Sequence, residues 1–264
     1  MNRRVGLSPR SAGALLAGLA WIGASTARAE ESAQDIARKS RERGALDLLD
    51  LTAELRLVTT GKDGVAREQR MVSSSRKVGG RIHSLSRFSA PPGVAGVAVL
   101  TVEGEGKGTA EEISLYLPKL KRVRKIVQAQ RGESFMSTDF SYADLGGQGA
   151  REDSVARGPD AVAEGRKCFV LKGTAGEGSP YGEVTLFVDQ ETYVPMRVEY
   201  RDKEGALLKV FRTLKLKRFQ ERTIAAEAVM ENQATGSKTA LSVLKLEPSK
   251  LTDDDFTERA LERG

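Results

Sequence analysis

The sequence predicts a mainly β protein with a few helices, built on one large antiparallel sheet. Three observations lead there. Apolar and polar residues alternate with period two over most of the chain, as in Leu51, Ala53, Leu55 and Leu57 against Thr52, Glu54 and Arg56. Turn residues recur at intervals of roughly 8–12 positions, the spacing of short hairpin-linked strands. Helical patterns are few and confined to the two ends.

The first 29 residues stand apart. Arg3, Arg4 and Arg10 make a positive start, Ala12 to Ile22 is a short apolar run, and Ala27-Arg28-Ala29 fits a small-x-small cleavage site. Residues 1–29 are therefore expected to be a signal peptide cut before Glu30, leaving 30–264 as a single exported domain. A retained anchor is the alternative, but the run falls short of the roughly 20 residues that span a bilayer. These 29 residues hold four arginines and no acid, so the formal charge of +6 falls to +2, with 38 bases against 36 acids. A nucleic-acid partner needs a basic face, and only residues 119–125 are left to supply one, so none is expected. Cys168 is the sole cysteine. It allows no internal disulfide, and Lys167-Cys168-Phe169-Val170-Leu171 reads as a strand holding an inert buried thiol.

From Glu30 to Gly44 the chain is helix-prone, with Ala33, Ile36, Ala37 and Ser40 on one face and Gly44 as a stop. Strands follow from Leu51 to Val58, Arg67 to Val78 and Arg81 to Phe88, separated by Gly61-Lys62-Asp63-Gly64 and Gly79-Gly80. Pro91-Pro92-Gly93 breaks the ladder because proline has no N–H to donate. Val94 to Val102 reads as an apolar strand, Gly104 to Thr109 as a hairpin turn, Glu112 to Leu117 as a strand, and Gly146 to Gly149 as flexible. Further strands are expected at 151–157, 166–174, 181–189, 193–201, 206–219, 222–233 and 237–247, with a helical turn over 255–262 capped from Thr252. Val194, Met196, Val198 and Tyr200 read as inward, and Leu214 and Leu216 alternate with the charges between Arg212 and Arg218. The alternate rows are dense in Arg, Lys and Glu. That argues against a membrane-spanning barrel and for an apolar row facing a core or cavity.

Motifs for chemistry are missing. Gly104-Glu105-Gly106-Lys107-Gly108-Thr109 lacks the Ser or Thr directly after Lys that a phosphate loop requires. Asp253-Asp254-Asp255 lacks the ligand alternation of a calcium loop and reads as a helix cap. His83 is the only histidine, too few for a zinc centre, and no Gly-x-Ser-x-Gly elbow accompanies it. No catalytic residue, metal or cofactor is expected.

The distinctive stretch is Tyr116 to Leu145. Lys119, Lys121, Arg122, Arg124 and Lys125 form its basic cluster, read either as a solvated face or as a contact for acidic headgroups or a partner. Phe135, Met136, Phe140 and Tyr142 stand among Ser134, Ser137, Thr138 and Ser141, read either as core or as an adaptable flap over a greasy groove. Leu115-Tyr116-Leu117-Pro118-x-Leu120-x-Arg122-x-x-Lys125-Ile126, with Ser134-Phe135-Met136-x-x-Asp139-Phe140-Ser141-Tyr142-x-Asp144-Leu145, resembles the outer membrane lipoprotein-sorting proteins, LolA/LolB-like periplasmic carriers. The resemblance continues through Tyr193 to Tyr200 and Asp254 to Glu262, and covers about 50–262. It departs at Ser137-Thr138, where a Gly-Ser-type pair is expected.

This resemblance implies an incomplete, strongly curved antiparallel β-barrel with helices covering its open side and an apolar cavity beneath them. It implies a periplasmic carrier that moves the acyl chains of a lipoprotein, or another lipid, towards the outer membrane, touching membranes only peripherally. Family members often accompany exporters of the resistance-nodulation-division (RND) type, so such an inner-membrane transporter and an outer-membrane acceptor are the expected partners. A non-carrying adaptor of the same fold is the alternative. Leu55, Leu57, Phe88, Val97, Val99, Leu115, Leu117, Phe135, Met136 and Phe140 are the expected lining, and Lys121, Arg122, Arg124 and Lys125 the expected headgroup or partner contact. A one-residue slip of register would exchange the faces.

Overall fold

The computed structural model describes residues 1–2, 31–41, 50–104, 111–145, 150–175 and 179–263. Nearly all of the expected leader, the helix stop at Gly44, most of the Gly104–Thr109 hairpin and the glycines at 146–149 lie outside them. The fold below is that of the unit Glu31–Gly264.

Helix α1 (Ala33–Arg41) precedes β1 (Leu51–Thr60), β2 (Ala66–Val78), β3 (Arg81–Ala90), β4 (Ala98–Val102), β5 (Glu112–Leu117) and β6 (Arg122–Lys125). Then come β7 (Ala150–Ala163), β8 (Arg166–Ala175), β9 (Glu183–Asp189), β10 (Pro195–Arg201), β11 (Leu207–Phe219), β12 (Arg222–Asn232) and β13 (Lys238–Pro248), and finally α2 (Glu258–Leu261). All thirteen strands join one sheet in the order β6-β5-β4-β3-β2-β1-β13-β12-β11-β10-β9-β8-β7, paired antiparallel throughout. Neighbours in sequence are neighbours in the sheet except β6 and β7, and β1 meets β13 in the middle. The two edges are therefore β6 and β7, which are consecutive along the chain. The connection leaving β6 has to travel from one edge of the sheet to the other.

Laid flat, thirteen strands would spread over about 58 Å. Instead one apolar cluster gathers Leu55 and Leu57 of β1, Phe88 of β3 and Leu115 of β5 with Leu171 of β8, Leu186 of β9, Val198 of β10 and Phe211 of β11. The sheet is thus strongly curved around a single interior and is not closed into a barrel. Helix α1 lies across the opening. Its Gln34 Nε2 donates to the Val155 carbonyl on β7 (3.2 Å), while Arg41 at its other end bonds Glu103 just past β4 (2.8 Å). Ala33 and Ile36 turn into the interior. Helix α2 adds a layer on the outside, where Phe256 and Leu261 pack on Ala98 and Leu100 of β4. Covered on both faces, β4 is apolar except at Thr101.

Several local expectations need correction. Residues 91–97 form a turn, with Val94 and Ala95 both donating to the Pro91 carbonyl, so β4 starts only at Ala98. The basic cluster contains a strand, β6, held by Ser114–Leu117 of β5. Met196 sits at a bulge in the β9–β10 pairing and turns away from Val198 and Tyr200 into a small outer cluster with Cys168. Leu214 lies at the bulge opposite Ala228–Glu227 and is exposed, and Leu216 joins the outer cluster. A bulge shifts the two-residue phase, which strict alternation carried past it. The C-terminal acids behave as expected. Asp255 accepts from the Thr252 N–H (2.8 Å) and hydroxyl (2.9 Å), and Thr257 caps α2.

Candidate functional site

All ten expected lining residues face the same interior. Leu55, Leu57, Phe88, Val97, Val99, Leu115, Phe135 and Phe140 are buried in one cluster, with Leu117 and Met136 half-buried against it. No bulge falls between the named positions on β1 and β5, so alternation keeps its phase there. What occupies the centre is the crossing connection itself. Phe135 packs on Phe88 (centroids 5.4 Å) and on Tyr142 (5.8 Å), and Phe140 meets Phe211 on the far wing (6.5 Å). This flap, residues 126–145, completes the core with its own aromatic side chains.

The flap is not a strand of the sheet. Its backbone makes a two-residue bridge, Ser134 to Ser141, closed by the Phe135 N–H on the Phe140 carbonyl (2.7 Å). Between them Met136 and Ser137 both take left-handed angles (φ 51° and 63°), and Thr138 N–H donates to the Phe135 carbonyl (3.0 Å). Two positive φ values in succession are the signature of a type I′ turn, which favours Asn-Gly. The Ser and Thr residues that suggested adaptability serve this backbone, with Ser134 Oγ donating to the Thr138 carbonyl (2.6 Å) and Thr138 Oγ1 to that of Phe135 (2.7 Å).

Two buried carboxylates latch the flap to the sheet. Asp139 accepts from Thr239 Oγ1 on β13 (2.7 Å) and from Ser237 Oγ, and Thr239 Oγ1 in turn accepts from the Asp139 N–H (2.9 Å). Asp144 accepts from Tyr181 Oη (2.7 Å), Lys209 Nζ of β11 (3.2 Å), and the N–H (2.7 Å) and hydroxyl (2.9 Å) of Ser141. Burial, with Asp144 alongside, pushes the Tyr181 phenol far above its ordinary range, so it stays protonated and donates. At the tip, Gln69 Nε2 donates to the Met136 carbonyl (2.9 Å). Asp139 and Asp144 belong to the motif read as a flap, yet their latching role was missed. The available signal was Ser141-x-x-Asp144, a capping-box spacing.

The interior is not uniformly greasy. On its β2–β4 side the inward positions are Ser73, Ser75, Ser84, Ser86 and Thr101, with hydroxyl pairs Ser73–Ser86 (3.0 Å) and Ser75–Ser84 (2.9 Å). A cavity of about 20 Å³ lies there, lined by Ser84, Thr101, Glu103 and Glu111 among others. That is room for one water molecule. The basic cluster is divided between faces. Arg122 and Arg124 pair with Leu117 and Leu115, so they share the concave side. Burial raises the Tyr142 phenol, and the positive charge of Arg124 opposes that shift. Lys125 points to the outer side, where it meets Glu112 (3.3 Å) and Glu258 (3.4 Å). His83 Nδ1 donates to the Phe256 carbonyl (3.1 Å), and burial pushes the Cys168 thiol up to about 11, keeping it from reacting as a thiolate.

A family model described as "Uncharacterized protein" matches residues 80–263. Among solved structures, a chain assigned as an outer membrane lipoprotein-sorting protein domain from Vibrio parahaemolyticus is 27% identical, with a TM-score of 0.77 over 87% of this chain and 98% of that one. A DUF1329 family protein from Desulfovibrio piger (22% identity, TM-score 0.77) covers 87% of this chain and 97% of its own. A LolA superfamily protein from Nitrosomonas europaea (18%, TM-score 0.65) covers 87% and 99%. These last two share the fold. A search of curated proteins returns no match.

Proposed function

The chain belongs to the family whose model matches residues 80–263 and has the fold of the lipoprotein-sorting and LolA superfamily structures; from that premise we propose a periplasmic carrier seen with its cargo space closed by its own flap. One observation carries the reading. The apolar interior is completed by a segment outside the sheet, tied by a handful of polar contacts and not by ladder hydrogen bonds. An acyl chain entering between the wings would replace Phe135 and Phe140 on the same Leu, Val and Phe surface, at about 0.8 kcal/mol for each methylene buried. The displaced aromatic rings cost roughly 1.5–3 kcal/mol each, so the two together offset about four to seven buried methylenes. That offset weakens the net hold on the cargo, which helps a carrier release it. The hydroxyl-lined side by β2–β4 offers hydrogen bonds to the polar end of an amphiphile.

The filled interior also supports a second reading, an adaptor that carries nothing and serves an RND-type exporter or outer-membrane assembly. The two part on one titration. A fluorescent fatty acid is added to the exported protein and to Asp139→Ala, which loses the β13 latch. The carrier reading expects saturable uptake, tighter in the variant by about tenfold as the latch cost falls. No uptake by either protein, with no lipid found on extraction, supports the adaptor.

A further inference from the structure

We propose that the hairpin tip between β5 and β6, Lys119-Leu120-Lys121-Arg122, docks the protein on an anionic membrane surface. Leu120 is 63% exposed at the crest of the turn, and Pro118 and the left-handed Lys121 (φ 47°) fix the shape of that turn. Lys119, Lys121 and Arg122 are exposed and have no ion pair among the described residues. Other bases of the sheet are neutralised, Arg56 by Glu68, Arg166 by Asp189 and Lys215 by Glu227; here three neighbouring ones are not. No acid occurs between Pro118 and Gly132 to neutralise them.

An apolar side chain raised between unneutralised cations suits a lipid headgroup layer. There the leucine reaches the acyl boundary while the lysines snorkel to phosphate. A small convex turn offers far less than the roughly 800 Å² a protein partner needs, whereas a bilayer requires no matching shape. The tip also stands at a corner of the concave side, because Arg122 pairs with Leu117 and Arg124 with Leu115, the row leading inward. Docking there is independent of what fills the interior, and its test uses no cargo.

The exported protein, its N terminus established by mass spectrometry, is sedimented with vesicles of phosphatidylcholine alone or mixed 7:3 with phosphatidylglycerol. Binding to the mixed vesicles only, abolished by 0.5 M salt, is expected. Reversing Lys119, Lys121 and Arg122 to Glu should weaken it about 100-fold, near fivefold for each cation. Lys217→Glu on exposed β11 should stay within twofold. In Leu120→Trp, emission should shift to the blue on vesicle addition and be quenched by brominated lipid. Melting should be unchanged in every variant, since these positions are exposed. No preference for anionic vesicles, an equal loss in Lys217→Glu, or unshifted emission from bound Leu120→Trp would overturn the proposal. So would capture by polyglutamate with no vesicle binding, which would assign the tip to an acidic protein.

Discussion

Ser137 is the residue at which the chain departs from what its turn requires. Its φ of 63° follows one of 51° at Met136, and a side chain in that region costs on the order of 1 kcal/mol that glycine avoids. Ser137→Gly should therefore raise the unfolding free energy measured in urea by about 0.5–1 kcal/mol, since glycine's extra freedom when unfolded offsets part of the gain. Unchanged or lower stability would show that the turn is not strained. Asp144 sits at the opposite extreme, fully used. It is buried with Lys209 and Tyr181, so Asp144→Ala leaves a cation without its counter-charge and should cost about 3–5 kcal/mol. Replacing Lys209 by Met in the same protein should recover part of that loss, and simple additivity would contradict a shared network.

At the scale of elements, β8, β9 and the turn after β9 are clamped by one carboxylate. Burial would raise Asp189, but Arg166 (2.6 and 3.1 Å) and Thr192 bond it, and together they hold it below the usual aspartate range. A carboxylate lowered on folding contributes stability above its unfolded value of about 3.9 and loses it as pH falls through the folded value. Wild type should thus exceed Asp189→Asn in stability at pH 7, with the gap closing below about pH 4. A gap independent of pH would remove the charge from the account. Elements also mark how far the sequence could be read. Alternation on Leu55 and Leu57 or Val97 and Val99 reports burial directly, and all four point inward. It fails at Met196 and Leu214, because a bulge leaves no local trace in residue type. The strand in Arg122–Lys125 was hidden by its charge, which an edge strand tolerates on its open side.

For the whole molecule, the decisive feature is the strand order. Consecutive strands β6 and β7 occupy opposite edges, so their connection crosses the open side and its aromatics become the centre of the core. The motif from Ser134 to Leu145 showed that this segment was unusual, but not that it would fill the interior, since that follows from long-range pairing of β1 with β13. The account predicts that cargo and flap compete for one space. Amide hydrogen exchange with and without a bound fatty acid tests this directly. Protection should fall at Phe135, Thr138, Asp139 and Tyr142, while β13 amides such as Leu241 stay protected. A bound fatty acid that leaves those flap amides as slow as before would contradict it.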